Sequence, residues 1–103
     1  MNTYQLFFGR TIHNQDIDEY VTDQAWEAFE ECLSIAFDGY TIQDAKGAWK
    51  GIEEDCKVVT IMSSYPAKIR DICNAYRRVF KQDAIGLLVS EPMKFVSKEI
   101  EVF

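Results

Sequence analysis

Histidine, proline and paired cysteines are scarce in this chain, and each scarcity excludes a class of site. The single histidine, His13, rules out a metal site built from several histidines. The three cysteines, Cys32, Cys56 and Cys73, lack both the even number of a disulfide framework and the close pairs of a zinc site. They indicate reduced thiols in an intracellular protein. We expect neither a metal nor a cofactor.

Long apolar runs and surplus positive charge are also missing. No segment approaches the roughly 20 apolar residues of a membrane span, and the first residues lack the basic and apolar parts of a signal peptide. The 17 acidic residues outnumber the 11 Lys and Arg, for a formal net charge of -6. This balance argues against binding to nucleic acid or anionic membranes. We expect a cytoplasmic protein of a bacterium or of a phage-infected host cell.

The remaining composition is that of one globular domain over residues 1–103, with 48% hydrophobic and 27% charged residues. The charge is uneven. Residues 1–56 hold 12 acidic and 3 basic side chains, whereas residues 57–103 hold 5 acidic and 8 basic ones. One explanation of this asymmetry is that the two helices have solvated faces of opposite charge. The other is that the two surfaces meet across a homo-oligomer interface, or that the basic part receives an anion.

Strand-type and helix-type patterns alternate along the chain. Aromatic and β-branched residues predict strands over 3–12, 40–49, 57–62 and 84–89. Apolar residues at helical spacing predict one helix that follows the N-cap Thr22 and a second that begins at Pro66. The connection between the second and third strands is predicted to turn through Gly51 and the acidic run 53–55.

This βαββαβ order predicts an α+β domain of the ferredoxin-like kind, with a four-stranded antiparallel sheet and two helices on one face. Right-handed crossovers place strands 3–12 and 57–62 in the centre. The other sheet face is left uncovered, and Phe7, Val59 and Met62 add more apolar content than one buried face needs. We therefore expect a homodimer through the open sheet face.

The predicted topology gathers polar and aromatic residues at one end of the sheet. The end of the first strand and the starts of the third and fourth strands meet there. The connection between the second and third strands, the start of the first helix and the end of the second helix complete this rim. Basic groups near a helix N-terminus suit an anion, and aromatic rings supply stacking surfaces. The candidate ligand-binding residues are Arg10, Trp49, Lys57, Tyr76, Gln82 and Asp83.

Plainer roles stay open for these residues. Instead of binding a ligand, Arg10 and Lys57 could simply form ion pairs with the acidic run 53–55, and Trp49 could cap the core. Trp26 lies on the apolar helix stripe and is expected in the core. No P-loop, dinucleotide-binding or nucleophile-elbow motif is present, and Cys56 is the one thiol near the predicted site. Catalytic residues are therefore unknown.

Several motifs, in this order and spacing, carry a family resemblance. They are Phe8-Gly9-Arg10, Val21-Thr22 with Trp26 and Phe29, Phe37-Asp38-Gly39-Tyr40-Thr41, Asp44-Ala45-x-Gly47-x-Trp49, Glu54-x-x-Lys57-Val58 and Tyr76-x-x-x-Phe80-x-Gln82. Over nearly its whole length the chain resembles the domain of unknown function 3574 family of small bacterial and phage proteins. The resemblance implies a compact α+β domain and transfers no activity. Many members have a lipoprotein-type start that this chain lacks, and their Gln-Glu pair is Gln82-Asp83 here.

Three functions follow from these expectations. The first is a non-enzymatic domain that holds a small anionic, nucleotide-type ligand near Arg10 and Lys57, which in a phage would act as a sponge for a host defence signal. The second is a small dimeric enzyme that uses Asp44, Glu54 or Asp83 for proton transfer. The third is a protein-interaction module that uses the acidic face of the first helix. We favour the first.

Overall fold

The computed structural model describes residues 1–12 and 18–96, except for the side chain of Trp49. These residues form a mixed α+β domain in which two helices accompany a four-stranded antiparallel sheet and a two-stranded ribbon. The elements are β1 (Asn2–Gly9), β2 (Thr11–Ile12), β3 (Glu19–Tyr20), α1 (Asp23–Ala36), β4 (Thr41–Trp49), β5 (Ile52–Ser63), α2 (Pro66–Val79) and β6 (Gly86–Ser90).

The larger sheet has the order β4-β5-β1-β6, and every neighbouring pair is antiparallel. Strands β1 and β5 are central, and β4 and β6 form the edges. The short strands β2 and β3 pair only with each other among the described residues. The predicted antiparallel sheet of four strands with two helices is confirmed. None of the described helices is long and apolar enough to cross a lipid bilayer.

The β4–β5 hairpin is longer than the sequence pattern predicted. Lys50 and Gly51, with φ of 51° and 79°, form its two-residue turn. Two positive φ values are the type I′ geometry, whose twist matches that of the flanking strands. The turn leaves the acidic run 53–55 inside β5, paired with residues 46–48. The prediction that this run is a turn is therefore wrong. The last pair between β1 and β5 is Gly9 with Cys56, and the β4–β5 hairpin continues beyond it.

One core joins both helices to the same face of the sheet. The Phe8 ring of β1 lies 5.9 Å from Trp26, 5.4 Å from Phe29 and 4.6 Å from Tyr76, measured between ring centroids. Because side chains alternate along a strand, Tyr4, Leu6 and Phe8 share this face. The other buried members on strands and helices include Leu33, Val59, Ile61, Ile69 and Ile72.

The start of α1 follows the predicted capping geometry. Thr22 is the N-cap, and its side-chain oxygen accepts a hydrogen bond from Ala25 N at 3.1 Å. This bond satisfies one of the free N–H groups of the first turn. Asp23 follows in the first turn, where the helix dipole favours an anion. The local sequence therefore sets the point at which the chain enters α1.

The open face of the sheet carries partly different apolar residues from those predicted. Val59 pairs with Leu6 and is buried on the helix-covered face, so it does not belong to the open face. Phe7 and Met62 are half-buried. Val58 pairs with Phe7 on the open face and is buried, and Leu88 of the edge strand β6 is exposed on the same face. The homodimer through the open face stays a prediction.

Truncation of Leu33 is expected to be much more damaging than truncation of its neighbour Ile35. Leu33 is fully buried in the core, and Leu33→Ala should lower the free energy of unfolding by about 2–5 kcal/mol. Ile35 lies on the same helix but is exposed, so Ile35→Ala should change it by no more than about 0.5 kcal/mol. Urea unfolding followed by circular dichroism measures both. Equal losses in the two variants would contradict this packing.

Candidate functional site

A cavity of about 560 Å³ lies where the β4–β5 hairpin extends beyond the end of β1. It is bounded by α1, by Tyr20 of β3 and by both hairpin strands, and we call it the hairpin cavity. Its volume is within the range of small-molecule sites. The lining residues are Arg10, Tyr20, Asp23, Trp26, Glu27, Glu30, Ile42, Asp44, Ala45, Asp55, Cys56 and Lys57.

Arg10 connects the end of β1 to the segment that enters α1. Its Nε and Nη2 donate to the Val21 carbonyl oxygen at 3.1 and 2.6 Å, and Nη2 also donates to Asp23 Oδ1 at 2.8 Å. The guanidinium carbon lies 4.6 Å from the centre of the Tyr20 ring. The backbone N–H of Arg10 donates to the Asp55 carbonyl at 3.0 Å. Arg10 is therefore both a structural tie and a positive wall of the cavity.

Lys57 supplies the second positive charge from the neighbouring strand. It lies opposite Asp44 in the β4–β5 ladder, and its Nζ forms an ion pair with Asp44 Oδ1. The ammonium group is 5.8 Å from the centre of the Trp26 ring. The hydrogen bond and the charge of Lys57 lower the pKa of the Asp44 carboxyl. Asp44 is therefore an ionised acceptor at neutral pH and is poorly suited to act as a general acid.

Burial differs sharply between these cations and their partners. The side chains of Arg10 and Lys57 are 7% and 15% exposed, whereas those of Asp23 and Asp44 are 88% and 81% exposed. A buried cation needs a nearby anion because its removal from water is costly. An exposed carboxylate regains its hydration when it leaves the pair. Loss of the ion pair is therefore more costly for the cation, which stays out of water, than for the carboxylate, which is hydrated again.

The other charged residues of the lining are acidic. Glu27, Glu30 and Asp55 add three carboxylates to Asp23 and Asp44, against two basic groups. The Tyr20 hydroxyl donates to Asp55 Oδ2 at 3.2 Å and joins β3 to the hairpin. Loss of hydration raises the pKa of Tyr20, so this hydroxyl remains a donor. The cavity as a whole carries more negative than positive charge, although its cations are the more buried groups.

Tyr76 and Gln82 lie at the end of β1 but outside the cavity lining. The Tyr76 hydroxyl donates to the Gly9 carbonyl at 2.7 Å, and Gln82 Nε2 donates to the Thr11 carbonyl at 2.9 Å. Burial raises the pKa of the Tyr76 hydroxyl, which keeps it a donor. Glu54 accepts from Thr11 N at 3.3 Å. These bonds give Tyr76 and Gln82 a structural role on the chain segment that carries Arg10.

Trp49 and Asp83 are the remaining predicted ligand-binding residues. The backbone of Trp49 pairs with Ile52 at the tip of the hairpin, and its side chain lies outside what the structure describes. Asp83 is exposed and is not part of the cavity lining. Of the six candidates, the cavity brings Arg10 and Lys57 together. A ligand-binding role for any of the six stays a prediction.

Sequence reasoning missed Tyr20 and Asp23 as neighbours of Arg10. It named the acidic run 53–55 as a possible ion-pair partner, whereas the structure gives Arg10 a backbone hydrogen bond to the Asp55 carbonyl and an ion pair with Asp23. Asp23 was visible only as an acidic residue in the first turn of a helix. Tyr20 lay between the first predicted strand and the first predicted helix, where no element was expected, and Asp55 fell in the run interpreted as a turn. Trp26 is 3% exposed, so the prediction that it belongs to the core is confirmed, yet its ring also borders the cavity.

The cysteines near the core are not activated. Cys56 lines the cavity, and burial followed by the Glu54 charge raises the pKa of its thiol. Burial raises the pKa of Cys73 to about 11. Both remain protonated at neutral pH, which makes them poor nucleophiles. His13 lies outside the described residues. Within the described ranges, no group of three His, Cys, Asp or Glu residues is placed to hold a metal ion.

Acid is expected to weaken the fold partly through Asp44. Because Lys57 lowers the pKa of Asp44 from its ordinary 3.8, the ion pair stabilises the folded chain above that pH. This contribution is lost as the pH falls through the lower folded-state pKa. Urea unfolding between about pH 5 and about pH 2 should therefore show a shallower decline in stability for Asp44→Asn than for the wild type.

The control for this titration is Asp38→Asn, which neutralises an exposed carboxylate outside the cavity lining. It should follow the wild-type decline. A wild-type decline in Asp44→Asn would show that the ion pair with Lys57 contributes nothing to stability.

Comparison with known proteins supports the family resemblance. Neither a curated protein nor a solved structure matches this chain. The profile of a family described as a protein of unknown function (DUF3574) matches residues 3–96. This range contains nearly all of the strands and both helices described above, as well as all lining residues of the hairpin cavity. The chain therefore belongs to the DUF3574 family.

Proposed function

We propose that this chain is a non-enzymatic domain that binds a small anionic molecule in the hairpin cavity. The observation that carries the proposal is that the side chains of Arg10 and Lys57 are only 7% and 15% exposed, whereas their carboxylate partners are exposed. In such an ion pair, the carboxylate can be replaced by another anionic group. The buried cations stay in place, and an anionic group of the ligand takes the position of Asp23 or Asp44.

The energetics favour this exchange. Asp23 and Asp44 are exposed, so each carboxylate regains its hydration when it swings into water, and the anionic group of the ligand then compensates the charge of the cation in its place. A ligand phosphate or carboxylate would bring several acceptor oxygens to the same donors. Charge-assisted hydrogen bonds from Arg to such groups are among the stronger ones in proteins. Arg10 is already held by Val21, so its position is set before the ligand arrives.

The shape and charge of the lining restrict the ligand further. Tyr20 is partly exposed and offers a ring for stacking, which suits a planar group such as a nucleobase. Glu27, Glu30 and Asp55 disfavour a ligand of high negative charge. We infer a compact ligand with one or two negative charges, such as a nucleoside monophosphate or a cyclic dinucleotide, in preference to a triphosphate.

A sponge for a nucleotide-type defence signal is the biological form of this proposal for a phage-borne chain. Its support is the size and chemistry of the cavity. We also propose a cytoplasmic location, which the three free cysteines support because unpaired thiols are typical of a reducing compartment.

We also propose that the sheet belongs to the ferredoxin-like class. Apart from the short ribbon β2–β3, the elements alternate as strand, helix, two strands, helix and strand, which supports this classification. The placement of β1 and β5 at the centre and of β4 and β6 at the edges supports it as well.

A thermal-shift screen of the purified chain tests the binding proposal. The probes are inorganic phosphate, nucleoside mono- and triphosphates, cyclic dinucleotides and small dicarboxylates. At least one singly or doubly charged anion should raise the melting temperature of the wild type, since a ligand at 100 times its Kd stabilises by about 2.7 kcal/mol. Lys57→Met should abolish the shift, whereas Lys46→Met, which removes an exposed positive charge from the same hairpin outside the cavity lining, should retain it.

Asp44→Asn tests whether the bound anion displaces the Asp44 carboxylate from Lys57. Without the Asp44 charge, Lys57 is free for the ligand, so the affinity for the same probe should rise several-fold by titration calorimetry. Asp38→Asn should leave it unchanged. No shift with any probe, or equal losses in Lys57→Met and Lys46→Met, would refute the proposal. Chemical conversion of the bound probe that stops in Asp44→Asn would favour the enzyme instead.

A further inference from the structure

We propose that two copies of this chain pair through the outer edge of β6, which joins their sheets into one continuous sheet. Strand β6 is the last in the order β4-β5-β1-β6, and its outer edge has no strand partner within residues 1–12 and 18–96. It lies at the opposite edge from β4. The inference is therefore independent of the function proposed for the hairpin cavity.

The edge is unusually apolar. Leu87, Leu88 and Val89 are 47%, 57% and 54% exposed, and they alternate between the two faces of the sheet. Natural edge strands are commonly protected from pairing by charged residues, prolines or bulges. Residues 86–90 contain neither a charge nor a proline. The exposed strand is therefore suited to pair with another strand.

The strand is complementary to itself. An antiparallel pair of β6 strands related by a two-fold axis at Leu88 aligns all five residues, with Gly86 opposite Ser90 and Leu87 opposite Val89. Leu88 meets Leu88 of the second copy on the open face. Apolar side chains oppose one another at the three central positions, and no like charges meet. A two-fold axis closes the assembly at two copies.

Charge complementarity also favours a second copy as the occupant. A groove of about 430 Å³ separates β6 from α2, and Ile85 and Arg77 are among its lining residues. In the register centred on Leu88, Glu91 of the second copy lies opposite Ile85. In this register Glu91, which follows β6 of one copy, approaches the groove beside β6 of the other copy, where Arg77 supplies positive charge. The two-fold axis repeats this arrangement.

This contact differs from the homodimer predicted through the open sheet face. A dimer through the open face would bury Phe7 and Met62 of the central strands, whereas edge pairing uses the exposed apolar residues of β6, of which Leu88 lies on the open face. Edge pairing also leaves the hairpin cavities at the two ends of the joined sheet. Each copy would therefore keep its cavity accessible.

Sedimentation analysis of the full chain tests this pairing. The wild type should have twice the chain mass of 11.9 kDa, with a dissociation constant that can be measured by dilution. Leu88→Lys places two positive charges next to each other at the axis and should raise the dissociation constant at least 100-fold. Circular dichroism should show an unchanged fold, because Leu88 is exposed.

Matched lysine substitutions distinguish the possible surfaces. Gln43→Lys lies on the opposite edge strand, and Thr60→Lys lies on the open face away from β6. Both should remain dimeric. A monomeric wild type, or a dimer that Thr60→Lys breaks, would overturn the proposal.

Charge reversal supplies a second test should Leu88→Lys fail to fold. Glu91→Arg should weaken the dimer about tenfold, and Arg77→Glu in the same chain should restore most of that loss. Neither residue is buried. A dissociation constant that neither substitution changes would show that the register centred on Leu88 is wrong.

Discussion

The carboxyl end of β1 is held by two hydrogen-bonded ties, and the arrangement of the whole molecule depends on them. The Tyr76 hydroxyl reaches the Gly9 carbonyl from α2, and the Arg10 guanidinium reaches the Val21 carbonyl just before α1. Phe8 packs between the same two helices. Three successive residues at the end of β1 therefore set the position of both helices on the sheet. The hydrogen bonds to backbone carbonyls also fix the orientation of the helices, because such bonds are directional.

The hairpin cavity is a consequence of this anchoring. Strand β1 ends at Gly9, but its neighbour β5 continues with β4 to the turn at Lys50 and Gly51. The extended hairpin and α1 therefore enclose space that no core side chain fills. Arg10 and Lys57 border that space because the register of the sheet places them there, and their burial makes them dependent on an anion. The cavity and its two cations thus arise from a mismatch in strand length.

Part of this site could be predicted from sequence, and part could not. The convergence of Arg10 and Lys57 follows from antiparallel strand order, which the alternation of strands and helices indicated. The acidic partners could not be predicted. Asp44 meets Lys57 through the β4–β5 register, and Asp23, although it follows the predicted cap Thr22, meets Arg10 through tertiary packing. Tyr76 and Gln82 reach the same end of the sheet, but their side chains donate hydrogen bonds to the carbonyls of Gly9 and Thr11. Residue type alone does not distinguish a ligand donor from a structural one.

Local sequence was enough to specify the number and kind of helices and main strands, the cap at Thr22 and the core role of Trp26. These depend on periodicity and on backbone preferences that each segment carries alone. Long-range packing, in contrast, determines which carboxylates meet Arg10 and Lys57, which face receives Val59, and which edge remains exposed. Strand register explains the difference. A shift of one residue between β4 and β5 would send every side chain to the opposite face, and the two-residue turn at Lys50 and Gly51 selects the register that is observed.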